Sequence, residues 1–214
     1  MSTPIYEALL FDLDGTLIDT EALALRTGLA AFADAGHPVE IDLLHRLVGR
    51  DEPTSEEILR AALPAADLGA IRAAWGTAFA AAVEDGLPLK PGATELLDAT
   101  DGRRRAIVTS TGRPGAHRKL AIAGIARRFE LVISLDDVTA PKPDPAPYLL
   151  AAERLGLSPR ACLVFEDSDT GAEAARRAGC TVVQVPDQGE VTGLHAHHLA
   201  ADLMEGARMA GLID

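Results

Sequence analysis

The sequence predicts an α/β fold, a parallel sheet with helices on both faces, into which a bundle of helices is inserted. Three observations predict it. Short apolar runs alternate with helix-like segments along the chain, the rhythm of repeated strand–helix–strand units. The runs lack polar alternation, as strands buried on both faces do. Finally, about ninety residues separate the first run from the second, far more than one crossover helix needs.

The first strand is expected at 8–11, where Ala-Leu-Leu-Phe is continuous and apolar. The insertion follows. Residues 21–35 carry apolar positions at helical spacing and stop at Gly36, and 43–48 read as a short helix stopped by Gly49. Residues 55–63 open on a partial capping box at Ser55, with Glu56 and Glu57 in the first turn. A long alanine-rich helix is expected over 65–83. The segment Asp85-Gly86-Leu87-Pro88 returns the chain to Pro91-Gly92 and another helix. Further strands are expected at 105–108, 130–133, 161–165 and 181–185, with helices beginning at Gly112-Arg113-Pro114 and spanning 172–178. The resulting architecture is a Rossmann-like core formed by 1–18 and 88–214, with 19–87 as a helical cap. No internal repeat or low-complexity segment interrupts it.

Bulk properties narrow the function classes. Of 214 residues, 48% are apolar and 24% charged, the mixture of a globular domain able to bury a sizeable core. A formal charge of -12 and only 4% aromatics argue against a nucleic-acid partner, which needs a basic face. A small anionic substrate requires a local positive charge against that field. Cys162 and Cys180 are too few for a disulfide framework and lie beside apolar runs, so both read as buried free thiols. The N-terminal MSTPIYEALLFD lacks a basic segment followed by a long apolar stretch, and no window approaches the ~18 apolar residues of a membrane span. A cytoplasmic monomer without membrane partners is expected.

Four segments carry chemistry. Leu9-Leu-Phe-Asp12-Leu-Asp14-Gly-Thr16 ends an apolar strand in two carboxylates at i and i+2, which share a side where the chain is extended. Carboxylates so close repel unless a cation lies between them, and a pair of this kind can divide nucleophilic and acid/base duties. Ala106-Ile-Val-Thr109-Ser110-Thr111 ends a strand in three hydroxyls before a helix, which suits either a phosphate cradle or simple capping. Ala140-Pro141-Lys142-Pro143-Asp144-Pro145 fixes a lysine between prolines, a charge held in position. Leu163-Val-Phe165-Glu166-Asp167-Ser168 ends another strand in adjacent carboxylates, hard oxygen donors that suit Mg²⁺ or favour a helix N-terminus. All four lie at or beyond the C-terminal ends of predicted parallel strands, the edge where open α/β sheets bind ligands.

Together and in this order, DLDGT at 12–16, Thr109, KPDP at 142–145 and FEDSDTG at 165–171 resemble the haloacid dehalogenase superfamily. They are similar to its helical-cap subgroup of β-phosphoglucomutase-like and phosphoglycolate-phosphatase-like members. The resemblance implies a phosphatase in which Asp12 attacks phosphorus and Asp14 serves as acid and then base. Thr109 and Lys142 would hold phosphoryl oxygens, with Ser110 beside them. Mg²⁺ would be bound by Asp12, the backbone carbonyl of Asp14 and Asp167, with Glu166 in support. A cis Lys142–Pro143 bond is also implied. Asp14 argues against dehalogenation, because dehalogenating members lack an acid there. Ala24 stands where the mutases carry a histidine, which favours hydrolysis of a small phosphorylated metabolite over a sugar-phosphate mutase. A non-catalytic phospho-ligand binder of the same fold would have lost a nucleophile or metal ligand, and none is lost. Arg50 is the cap residue expected to contact substrate. His195, His197 and His198, read as lying on an Ala- and Leu-rich helix without a partnering cluster, make a poor metal site.

Overall fold

The structure, a computed structural model, describes residues 6–47, 52–187 and 191–214. Six parallel strands form one sheet in the order β3-β2-β1-β4-β5-β6. They are β1 (Ala8–Phe11), β2 (Arg104–Val108), β3 (Leu131–Ile133), β4 (Cys162–Glu166), β5 (Thr181–Gln184) and β6 (His198–Leu199). β1 is central, with Phe11 level with Ile107 of β2 on one side and Phe165 of β4 on the other. The Phe11 and Phe165 rings stack with centroids 5.1 Å apart. Every residue of β1 and β4 is buried, which explains why these strands read as unbroken apolar runs.

The chain divides into two compact units, 1–19 with 89–214, and 20–88. Among the described residues the regular structure of the second is helical: α1 (Thr20–Asp34), α2 (Ile41–His45), α3 (Glu52–Ala62) and α4 (Leu68–Asp85). Phe32, Leu44, Leu59 and Ile71 form its core, and Trp75 packs edge-on against Phe32. The indole N–H of Trp75 donates to the Ala24 carbonyl at 2.9 Å, satisfying the ring's one polar atom. α3 begins at Glu52, so Ser55 lies inside it rather than capping it. α4 begins three residues later than its alanine pattern predicts because Asp67 is the cap, accepting from the Ala70 N–H at 3.0 Å.

The sheet unit carries α5 (Ala93–Ala99), α6 (Arg113–Ile122), α7 (Ala146–Leu155), α8 (Asp169–Ala178) and α9 (Leu203–Met209). Leu10, Val108, Ile133 and Val164 from the strands pack with Tyr148 and Ala152 of α7 and Ala172 and Ala175 of α8. Each large side chain buried in this way contributes about 1.5–3 kcal/mol, and the small alanines let the helices approach closely. Cys162 and Cys180 lie in this core as free thiols, pushed up by burial to about 11 and about 12. Among the described residues no helix is long and apolar enough to cross a membrane.

The histidine segment departs from expectation. Residues 195–198 are not helical: the chain runs there as a loop into the two-residue strand β6. His197 Nδ1 accepts from the Val182 N–H at 3.0 Å, which uses it to tie this edge down.

Candidate active site

β1 ends at Phe11, and the next residues turn away under Gly15, whose φ of 87° lies in the left-handed region. A Cβ there would also come within 2.6 Å of an Asp167 carboxylate oxygen, so position 15 excludes a side chain twice over. The turn leaves Asp12 buried and Asp14 partly exposed at the C-terminal edge of the sheet.

Two more strand ends and one turn meet it. After β2 come Thr109, Ser110 and Thr111, with the Thr111 N–H donating to Thr109 Oγ1 at 3.1 Å. The turn before α7 brings Lys142, and its bond to Pro143 is cis. β4 delivers Glu166, and Asp167 follows it, before Ser168 caps α8 by accepting from the Gly171 N–H at 3.1 Å. Asp12, Asp14, Thr109, Ser110, Lys142 and Asp167 line one cavity of about 270 Å³. Six of the residues singled out from sequence are thereby brought together. Arg50 lies outside the described residues.

Lys142 is the hub. Its ammonium donates to Asp12 Oδ1 at 2.7 Å, to the Val108 carbonyl at 2.8 Å and to Glu166 Oε1 at 2.5 Å. It also lies 5.1 Å from the centre of the Tyr148 ring. Burial alone would lower its pKa, but Asp12 and Glu166 together carry it above the ordinary lysine value. Lys142 therefore stays charged.

Glu166 is fully buried behind the cavity, and both its oxygens are engaged. Oε1 accepts from Lys142 and from the Tyr148 hydroxyl at 2.7 Å; Oε2 accepts from Ser168 Oγ at 3.1 Å and the Asp167 N–H at 3.2 Å. Such a carboxylate fixes Lys142 and the turn into α8 rather than offering an open coordination position. Tyr148 escaped the sequence reading because it lies on the apolar face of α7, where a tyrosine reads as core.

Carboxylate oxygens of Asp12, Glu166 and Asp167 lie within 4.8 Å of one another. Burial raises Asp12 to about 7 against the opposing pull of Lys142, with Glu166 and Asp14 adding repulsion. Asp167 is raised to about 8 by burial, then by the charges of Glu166 and Asp12. Two close carboxylates, Asp12 buried and Asp167 half-buried, that resist ionising together are a donor set that a hard divalent cation fits. Thr16 Oγ1 donates to Asp167 Oδ1 at 3.3 Å, orienting it.

Asp14 is held differently. Its Oδ2 accepts from the Thr111 hydroxyl at 2.7 Å and its Oδ1 from the Lys119 ammonium at 2.6 Å. No local pattern marks Lys119, which sits inside α6 and reaches a residue 105 positions away. A buried carboxylate beside a fixed ammonium, a second carboxylate nearby, hydroxyls and an acidic cation niche can together bind and attack a phosphate ester.

A family model described as haloacid dehalogenase-like hydrolase matches residues 6–179. The chain belongs to that family. Among curated relatives, the phosphorylated carbohydrates phosphatase of Thermotoga maritima is 35% identical over 176 residues, covering 81% of this chain and 82% of that one. The fructose-1-phosphate phosphatase of Escherichia coli K12 is 32% identical over 184 residues, covering 84% and 96%. Among solved structures, a HAD family hydrolase from Deinococcus radiodurans R1 with bound phosphate and sodium matches with a TM-score of 0.82 at 27% identity, covering 99% of each chain.

Proposed function

We propose that this hydrolase is a Mg²⁺-dependent phosphatase of a small phosphorylated metabolite, of the sugar- or polyol-phosphate class, working through an aspartyl-phosphate on Asp12. The observation that carries this reading is Lys142, held charged against the buried Asp12 in a cavity edged by Thr109 and Ser110. The curated relatives named above, phosphatases of phosphorylated carbohydrates, support the substrate class.

In the first step a carboxylate oxygen of Asp12 attacks phosphorus. The bond to the leaving oxygen breaks, and that oxygen takes the proton of the Asp14 carboxyl group, releasing an alcohol. In the second step water attacks the aspartyl-phosphate and gives its proton to the Asp14 carboxylate. The phosphorus–Asp12 bond breaks, so phosphate leaves and both residues return to their starting forms. Lys142 and the hydroxyl of Thr109 bind phosphoryl oxygens, with Ser110 alongside, and their fixed charge and dipoles oppose the growing negative charge. Asp12, Asp167 and the Asp14 carbonyl would hold Mg²⁺, with Glu166 supporting from behind. When bound, the cation neutralises phosphoryl charge as a Lewis acid. The helical segment 19–87 acts as the cap that selects the organic part of the substrate, and Arg50 contributes a contact from it. Position 24 offers no side-chain hydrogen bond, which favours water over a second sugar as the acceptor.

Phosphate release from a panel of hexose, polyol and glycolate phosphates, with Mg²⁺ and with EDTA, tests the proposal. Magnesium-dependent release that disappears in Asp12→Asn is expected. Undiminished turnover by that variant overturns the mechanism, and an isomerised phosphosugar as sole product replaces hydrolysis with transfer.

A further inference from the structure

We infer that Lys119, together with Thr111, is the positioning residue for Asp14 and assigns its working oxygen, an inference that rests on the phosphatase reading above. Asp14 stands immediately before the tight turn at Gly15, and its short side chain needs partners to hold a single rotamer there. Here each of its oxygens has a separate donor: Lys119 Nζ at 2.6 Å from Oδ1 and Thr111 Oγ1 at 2.7 Å from Oδ2. Two anchors on two oxygens fix both side-chain torsions. The anchors come from the segment after β2 and from the interior of α6, so the sheet's own scaffold sets the position. Lys119 Nζ also lies 3.5 Å from Thr111 Oγ1, which closes the triangle.

The two donors are not equivalent. An ammonium has three protons and no acceptor, so Oδ1 facing Lys119 has no room for a proton of its own. A hydroxyl both donates and accepts and rotates freely. Thr111 can therefore donate to Oδ2 as a carboxylate and turn away, or accept, when Oδ2 carries a proton. The exchangeable proton belongs on Oδ2, and Oδ1 is the anchor. Thr111 also lines the cavity, which places the Oδ2 side of Asp14 toward it.

An exposed lysine–carboxylate pair is ordinarily worth little and does nothing further. Lys119 and Asp14 differ in being about 28% and 29% exposed and in spanning two elements rather than one helix face. Their link to the reaction is geometric. A misplacement of about 1 Å in a reacting group costs on the order of a hundredfold in rate.

The test compares kcat/KM for 2-glycerophosphate, an ester with a poor leaving group, and 4-nitrophenyl phosphate, one with a good leaving group, in the intact chain. kcat/KM reports steps up to loss of the leaving group, where only the alkyl ester needs a well-placed acid. Lys119→Met should lose about a hundredfold on the alkyl ester and only a few-fold on the aryl ester. Lys119→Arg should recover much of the loss, Thr111→Val should show the same selective pattern, and Asp14→Asn should show it most strongly. In an Asp14→Asn background, Lys119→Met should add nothing, because a residue acting through Asp14 has nothing left to position. Equal losses on both esters, or a full further loss in that background, overturn the inference while leaving the phosphatase reading intact. Hydrolysis surviving Asp12→Asn, or no turnover of any ester by the unmodified protein, overturns both.

Discussion

Replacing Gly171 with alanine should damage the protein far more than a helical glycine-to-alanine change normally does. Gly171 lies in the first turn of α8, and a Cβ built on it falls 2.0 Å from the Glu166 carboxyl carbon and from Oε1. Contacts that short cannot be absorbed by small adjustments, so the Glu166 carboxylate must move by more than an ångström. It would then lose its bonds to Lys142 and Tyr148 and leave a buried ammonium short of one of its two carboxylates. Breaking one partner from a buried charged pair costs about 3–5 kcal/mol, and partial re-pairing of Lys142 with Asp12 leaves an estimate of about 3 kcal/mol. For a protein of this size that lowers Tm by about 6–12 °C. Thermal unfolding followed by circular dichroism measures it. Gly76→Ala in the exposed interior of α4 is the control: its Cβ meets nothing within 4 Å, so it should gain roughly 0.5–1 kcal/mol from helix propensity. If Gly171→Ala melts within about 2 °C of the parent, the close seat assigned to Glu166 is wrong.

Two further outcomes follow from the charge arrangement. Asp12 and Asp167 have folded-state values raised to about 7 and about 8, so the folded protein without metal binds protons more tightly than the unfolded chain. That contribution is full below about pH 4 and is lost as pH rises toward 8; Mg²⁺ should therefore raise Tm more at pH 8 than at pH 6, and an equal or reversed increment would contradict it. Asp137, lowered to about 2 despite burial by the Ser134 hydroxyl and N–H and by Arg113, has the opposite sign. Its stabilisation, about 2 kcal/mol, is present above about pH 4 and is lost as pH falls toward 2. Urea titrations of Asp137→Asn should show a deficit at pH 7 that closes near pH 2.

The sheet was legible because its central strands are buried on both faces, so 8–11 is read without error and the other long strands shift by a residue at their ends. β6 was not, since two residues with one exposed leucine carry no periodicity, and His197 just before it, read as helical, holds a strand edge instead. Among site residues, Asp12, Asp14, Thr109 and Asp167 were visible as polar groups closing apolar runs, and Lys142 as a lysine fixed between prolines. Lys119 and Tyr148 were not. Both lie within helices whose local pattern accounts for them fully, and only the packing of α6 and α7 on the sheet gives them partners near the cavity.

The strand order has a consequence for the nascent chain. β1 leaves the ribosome first, yet its neighbours β2 and β4 are translated roughly 100 and 150 residues later. The helical unit, whose residues are contiguous in sequence, can complete itself in the interval. Ala8-Leu-Leu-Phe11, wholly apolar and destined for the middle of the sheet, must wait unpaired throughout synthesis of that unit. A wholly apolar strand is thus the longest exposed, and a chaperone that shields it acts on the segment leading directly into Asp12.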